Sequence, residues 1–314
     1  QSRGLGDVYK RQLHHFARKF PNRYYDVGIA EQHAVTFSAG LASMGELPVF
    51  AVYSSFLQRA YDQLMHDVAI GGLHVVLGID RAGVVGEDGE THHGLYDVSF
   101  LSTVPGAVIY APACYDELRL CLRRALYRDK GLACVRYPRG NDKSVFDKSA
   151  LNTEYTHVSG KKTDILYISY GRVYDNLYRA AKRCAEQEVH CDLLKLTRIF
   201  PLADGVVDIA MSYRHVVFLE EAYYYGGISQ LFGDLLRRHV ARAFCEHVRR
   251  GRCREGNPLH GRSGAEHEGD AQHFEVVRGE RVERGAVGER RLFGLRDLDG
   301  RGYYERRLCH LLAL

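Results

Sequence analysis

The sequence predicts an α/β protein of two domains, each built on a parallel or mixed sheet flanked by helices. Helix-like and strand-like patterns alternate from Tyr24 to Arg139, as in domains with a mainly parallel sheet. The apolar run LHVVLGI, bounded by Gly and Asp, is typical of a strand buried on both faces. The alternation restarts after residue 162, and 314 residues of 46% hydrophobic composition suffice for two cores.

The first domain is predicted at residues 13–145, where apolar residues recur at helical spacing or form short continuous runs. Its segments, in chain order, are IAEQHAVTFSAGLASMG (helix), PVFAVYS (strand), FLQRAYDQLMHDVAIGG (helix), LHVVLGID (strand), GLYDVSFLSTV (helix), AVIYAPA (strand), YDELRLCLRRALYRD (helix) and LACVRYPRG (strand). In the last helix Leu118, Leu122 and Ala125 share one face.

A polar stretch at residues 146–162 is predicted to be a linker, and residues 163–238 a second, incomplete domain. Its segments are TDILYISYG (strand), VYDNLYRAAKRCAEQE (helix), VHCDLLKL (strand), RHVVFLEEA (strand) and GGISQLFGDLLRR (helix).

Both ends of the chain differ from these domains in composition and in apolar pattern. Residues 1–12 show no apolar periodicity and are interpreted as a non-native, scar-like segment. In residues 239–314 no lysine occurs and arginine rises to roughly one residue in five, against a usual share near a twentieth. Two interpretations of this Arg/Gly/His-rich tail stay open: an out-of-frame or disordered end, which is favoured, or a genuine tail for RNA or an acidic partner.

Composition argues against several classes of function. The formal charge is +4, from 43 basic and 39 acidic residues, and no basic cluster in the domains would follow nucleic-acid phosphates. No apolar segment approaches a membrane span, and the eight cysteines form no CxxC pair. A cytoplasmic protein that binds neither nucleic acid nor membrane is therefore expected.

The loop IDRAGVVGEDGETHHG at residues 79–94 follows the predicted buried strand, and ligands of parallel sheets bind beyond the carboxyl ends of strands. Adjacent His92 and His93 point to opposite sides of an extended segment, so a metal site is not favoured. The loop also lacks the second glycine and the lysine of a phosphate-binding loop, because Asp88 stands at that glycine's place. For an isolated segment a glycine-rich surface turn would be the simpler interpretation.

Three further segments favour a functional loop over a simple surface turn: DVGIAEQHAVTFSAGLA at 26–42, YSSFLQRAYDQ at 53–63 and VRYPRGN at 135–141. Together with the loop they resemble the 1-deoxy-D-xylulose-5-phosphate synthases, thiamine-diphosphate enzymes of the transketolase superfamily. The resemblance is continuous from about Phe16 to Asn141 and weaker to about Arg238, where it ends. It implies a pyrimidine-binding domain followed by a transketolase C-terminal-like domain.

The resemblance implies a role for eight residues. Glu31 would be the catalytic carboxyl that hydrogen-bonds the cofactor pyrimidine, and Phe56 the aromatic platform for that ring. His92 would face the reacting carbons as a catalytic and substrate-binding residue. The substrate-binding set is completed by Tyr53, Arg59 and Arg139, and loop closure is assigned to Arg81 and Asp88.

The implied reaction joins pyruvate to glyceraldehyde 3-phosphate with loss of carbon dioxide, which serves isoprenoid, thiamine and pyridoxal synthesis in a homodimeric enzyme. The cofactors implied are thiamine diphosphate and Mg²⁺, the latter bound mainly by a preceding domain. The family's diphosphate motif, GDG followed by Asn, does not occur in this sequence. The isolated chain is therefore expected to be inactive.

Three alternatives stay open. A transketolase or a ketoacid dehydrogenase β-type subunit would share the fold and Glu31. The diphosphate-binding domain could lie on a separate polypeptide. The chain could also be a noncatalytic pyrimidine-domain module for assembly.

Overall fold

The computed structural model describes residues 13, 15–86, 88–203 and 205–240, together with the backbone of 273–278. Two five-stranded sheets flanked by helices form the molecule. The two-domain α/β prediction is confirmed. The scar-like segment 1–12 lies outside the described residues, as does most of the tail at 239–314.

The first sheet contains the segments predicted as strands in the first domain. Helix α1 spans Glu31–Ser43, and strand β1 spans Val49–Tyr53. The helical run α2, residues 54–69, ends in a π-helical stretch at Leu64–Ala69. The remaining elements are β2 (Val75–Asp80), α3 (Asp97–Leu101), β3 (Val108–Tyr110), α4 (Tyr115–Tyr127) and β4 (Leu132–Arg136).

The second half of the chain follows in the same manner. Its described elements are β5 (Tyr155–Val158), β6 (Ile165–Tyr170), α5 (Val173–Glu186), β7 (Asp192–Leu196), β8 (Arg198–Phe200), α6 (Val206–Met211), β9 (His215–Glu220), helix α7 at residues 228–240, and β10 (His273–Arg278).

Sheet order fixes where the ligand-binding edge lies. The first sheet runs β1-β2-β4-β3-β8, and its first four strands are parallel. Every residue of β2 and β4 is buried, as strands covered by helices on both faces require. The carboxyl ends of β1, β2 and β4 therefore meet at one edge, where Tyr53, Asp80 and Arg136 stand.

The two sheets share one apolar core. Strand β8 comes from the second half of the sequence, yet it pairs antiparallel with β3 of the first sheet. The Thr197 carbonyl accepts a 2.8 Å hydrogen bond from the Ala111 N–H beside this crossing. One buried cluster consequently contains Leu77 and Ile109 as well as Leu194 and Phe218. The domains are packed together rather than tethered.

Three differences from the sequence prediction concern segments with weak patterns. The predicted linker 146–162 contains β5, which pairs antiparallel with β7, and Phe146 is buried in a second core cluster. The predicted tail contains β10, which pairs in parallel with β9, so these six residues are neither disordered nor featureless. Strand β8 and helix α6 were not predicted, because runs of three and six residues carry too little periodicity.

Candidate active site

Glu31 begins helix α1 at the rim of the first sheet. A carboxylate in the first turn is favoured by the helix macrodipole. The residue is 8% exposed, and its Oε1 accepts a 3.0 Å bond from Nη1 of Arg59. The side chain of Arg59 is 46% exposed, so solvent and small molecules can reach this ion pair.

An aromatic cluster lies beside the Glu31–Arg59 pair. The Arg59 guanidinium stands 4.9 Å from the centre of the Phe56 ring. The edge of His92 meets Phe56 at 5.2 Å between centroids, and Tyr53 lies 5.9 Å from Phe56. Phe56 thus has three planar groups packed against it, a guanidinium, an imidazole and a phenol ring.

Arg81 connects this aromatic cluster to the carboxylates of Asp80 and Asp88. Its guanidinium lies 4.0 Å from the centre of the Tyr53 ring and donates to Asp80 and, through Nε at 3.1 Å, to Asp88. Its backbone has φ of 62°, a region that non-glycine residues rarely adopt. Burial opposes the charged guanidinium, but attraction to Asp80 outweighs it and raises the pKa of Arg81.

Asp88 joins Arg81 to Arg139. One carboxylate oxygen accepts a hydrogen bond from Nε of Arg81, and the other accepts one from Nη1 of Arg139 at 2.8 Å. The side chain of Arg139 is 36% exposed against 7% for Arg81, so Arg139 is the more accessible cation of the two. A guanidinium has five N–H donors, so Arg139 can bind the oxygens of a phosphate while Asp88 holds it in place.

The loop that carries Asp88 and His92 is closed at its base by two glycines. Gly83 and Gly94 exchange two 2.8 Å backbone hydrogen bonds. A Cβ on Gly94 would lie 2.2 Å from the Arg81 carbonyl oxygen, so only glycine fits there. Inside the loop, Nδ1 of His93 accepts the Val85 N–H at 2.9 Å while His92 faces Phe56. The two histidines therefore have different contacts, although His92 ends a 3₁₀ turn at Glu90–His92 and does not lie in the extended segment that the sequence predicted.

All eight residues proposed from the sequence are connected by direct contacts. The chain of contacts runs Glu31, Arg59, Phe56, His92, Tyr53, Arg81, Asp88 and Arg139. Sequence reasoning missed Asp80, whose position at the end of a buried strand was an available signal. It also missed Arg172 and Glu221 of the second domain, which contact Val84.

The fold and this cluster define a domain pair of the transketolase type. The family model of the transketolase pyrimidine-binding domain matches residues 2–143, and that of the transketolase C-terminal domain matches residues 154–268. The second match extends past Arg238, where the resemblance seen in the sequence ended. The chain belongs to the transketolase family.

Within that family, curated relatives of this chain include 1-deoxy-D-xylulose-5-phosphate synthases. The chain is 43% identical over 229 residues to the synthase of Chlorobium luteolum, covering 70% of this chain and 36% of that protein. With the Chlorobaculum tepidum synthase the identity is 46% over 225 residues, or 68% of this chain and 34% of that protein. The chain thus spans about a third of the length of the curated relatives it matches.

Solved structures show the same fold at lower identity. A chain described as a split-gene transketolase, inactive beta4 tetramer, superposes with a TM-score of 0.64 at 23% identity, covering 71% of this chain and 73% of that one. A transketolase from Pichia stipitis gives 0.56 at 14% identity, covering 63% of this chain and 31% of that one. Across the part of the chain that the structure describes, no helix is long and apolar enough to cross a membrane.

Proposed function

We propose that this chain is the pyrimidine-binding and C-terminal part of a 1-deoxy-D-xylulose-5-phosphate synthase, which condenses pyruvate with glyceraldehyde 3-phosphate as carbon dioxide is lost. The observation that carries the proposal is the unbroken chain of contacts from Glu31 to Arg139. It joins a carboxyl, an aromatic surface, a histidine and three arginines, drawn from segments far apart in the sequence. Identities of 40–46% to synthases over these domains support the same assignment.

The residues present fit the pyrimidine half of thiamine diphosphate. Phe56 is partly exposed, and Arg59 links it to Glu31 because the guanidinium donates to the Glu31 carboxylate and packs on the Phe56 ring. When bound, the cofactor supplies an electron sink for cleavage of the bond to the departing carboxyl group. Glu31 holds the pyrimidine by a hydrogen bond to a ring nitrogen, and Phe56 packs against the ring.

The remaining residues serve the two substrates. Arg139, Arg59 and Tyr53 bind the phosphorylated aldehyde, because guanidinium groups match phosphate oxygens bidentately and stay charged at any working pH. His92 projects from the glycine-closed loop, where its imidazole hydrogen-bonds a substrate oxygen or moves a proton near neutral pH. Arg81 and Asp88 close the loop over the substrates.

The proposal extends to the rest of the enzyme. Mg²⁺ and the cofactor diphosphate are held by a diphosphate-binding domain, and the chain alone does not turn over. A homodimer is supported by exposed apolar residues ahead of α1, such as Phe16 and Ile29. A cytoplasmic location is supported by the free thiols among the described cysteines, at Cys114, Cys121, Cys134, Cys184 and Cys191.

Reconstitution tests the proposal. The purified chain is mixed with a diphosphate-binding domain from a related synthase, thiamine diphosphate and Mg²⁺, and product formation is followed with each candidate substrate pair. We expect product from pyruvate and glyceraldehyde 3-phosphate, and none when any component is omitted. Turnover only with a ketose-phosphate donor would instead assign a transketolase, and acyl transfer to lipoamide a ketoacid dehydrogenase subunit. Stable binding of the added domain without turnover would indicate an assembly module.

A further inference from the structure

The loop between Gly83 and Gly94 is held from outside by the second domain. Both backbone polar groups of Val84 engage side chains from that domain. The Val84 carbonyl accepts a 2.8 Å hydrogen bond from Nη2 of Arg172, and the Val84 N–H donates to Oε2 of Glu221 at 3.3 Å. Arg172 and Glu221 are themselves paired at 3.2 Å.

The approach of Glu221 to the loop depends on Gly83. This glycine has φ of +84°, and a Cβ built on it would lie 2.1 Å from Oε2 of Glu221. A glutamate side chain therefore occupies the space that any other residue at position 83 would fill. The side chain of Val84 is 42% exposed, so the backbone bonds rather than burial hold this residue.

The other end of the loop is held by the same segment of the second domain. The N–H of Tyr223 donates a 2.8 Å bond to the carbonyl of Leu95, one residue beyond Gly94. The Tyr223 ring also packs against Tyr96, with 5.0 Å between centroids. Residues 221–223 follow β9 directly, so one strand end fixes both sides of the loop base.

We infer that Arg172 and Glu221 are positioning residues, which set the place of the loop bearing Asp88 and His92 from the second domain. Among the described hydrogen bonds and ion pairs, this pair reaches the loop through the backbone of Val84 and not through the eight-residue cluster. The pair is partly exposed, with side-chain exposures of 42% and 28%, and such pairs contribute little to global stability. Its effect is therefore local. The catalytic meaning of this placement rests on the proposed function, whereas the contacts themselves do not.

Hydrogen exchange on the full chain tests the inference without turnover. Arg172→Met and Glu221→Met remove the two sides of the pair and their hydrogen bonds to Val84. The matched control is Arg179→Met on the same helix, since Arg179 pairs with Asp175 at 2.9 Å and its side chain is 45% exposed. In the first two variants we expect loop amides to exchange at least about threefold faster while β2 amides keep their rates. The control should match wild type.

Two further readouts separate positioning from simple stabilisation. The NMR signals of the His92 ring, which lies against Phe56 and Tyr53, should shift in Arg172→Met and not in Arg179→Met. Arg172→Lys keeps the charge and a donor for the Val84 carbonyl, and should bring exchange and shifts back towards wild type. Loop exchange in Arg172→Met equal to that of the control would overturn the inference. So would equal acceleration of the loop and β2, which would mark a global stabiliser. Failed reconstitution with altered loop exchange would refute the proposed function alone.

Discussion

Asp88 accepts hydrogen bonds from two arginines of the site, Arg81 and Arg139. Arg81 also pairs with Asp80. The motifs predicted Asp88, Arg81 and Arg139, because each lies in a recognisable segment. They could not predict the bridge, since a pairing between residues 51 positions apart is set by the fold. Nor could they show that Arg59, assigned to substrate, contacts Glu31 and Phe56.

Replacing Asp88 with alanine should therefore remove one charge-assisted hydrogen bond from Arg81 and one from Arg139. In the reconstituted enzyme we expect KM for glyceraldehyde 3-phosphate to rise about tenfold, the equivalent of one charge-assisted hydrogen bond, with a smaller effect on kcat. Steady-state kinetics measure both constants. Asp62→Ala is the control, because Asp62 is 72% exposed and pairs only with His66 among the described ion pairs. An unchanged KM would show that Asp88 does not place Arg139.

Helix α4 shows how an element can depend on a residue outside it. Its N-cap, Cys114, provides no side-chain cap, but Oδ2 of Asp142 accepts the Tyr115 N–H at 3.0 Å. Burial alone would raise the pKa of Asp142, but hydrogen bonds from Ser144, Tyr115 and Lys148 outweigh it and hold the pKa below its usual range. Periodicity predicted the helix itself. It could not predict this cap, which comes from 27 residues away.

Asp142→Ala should lower the free energy of unfolding at pH 7 by about 1 kcal/mol, as loss of a helix cap does. Because the folded pKa lies below the unfolded value, the contribution is complete above about pH 4 and is lost as the pH falls further. The difference between wild type and variant should thus shrink on acidification, which urea unfolding at several pH values measures. Leu120→Ala, at an exposed position of the same helix, changes no titratable group and should show no such trend. A difference that stayed constant to pH 2 would contradict the cap.

At the scale of the whole molecule, a buried ion pair joins the two sheets. Glu117 of α4 accepts from Lys195 of β7 and, at 2.8 Å, from the Ala113 N–H. Neither side chain is more than 2% exposed, and burial lowers the pKa of Lys195 to about 8. Composition and the alternation of helix-like and strand-like segments predicted two α/β domains. They did not predict the shared core, because a three-residue strand that crosses between the sheets leaves no sequence pattern.

Glu117→Ala should destabilise the molecule by about 3–5 kcal/mol, because it leaves a buried ammonium without its partner. Unfolding should remain a single transition, since one apolar cluster spans both sheets. The double variant Glu117→Met, Lys195→Met should recover most of the loss, because no charge remains to be buried. Urea unfolding followed by circular dichroism provides the comparison. Two separated transitions, or a double variant as unstable as the single one, would refute this view of the interface.

The central claim is that Glu31 is the carboxyl on which the chemistry of this family member depends. Its most direct test is kcat of the reconstituted enzyme carrying Glu31→Gln, beside Glu46→Gln at an exposed glutamate just beyond α1. We predict that Glu31→Gln lowers kcat by about a hundredfold or more, the range of a proton-transfer partner, while Glu46→Gln does not change it. The melting temperature should stay close to that of wild type, because the Glu31–Arg59 pair is half-exposed on the arginine side. Full activity in folded Glu31→Gln enzyme would contradict the claim.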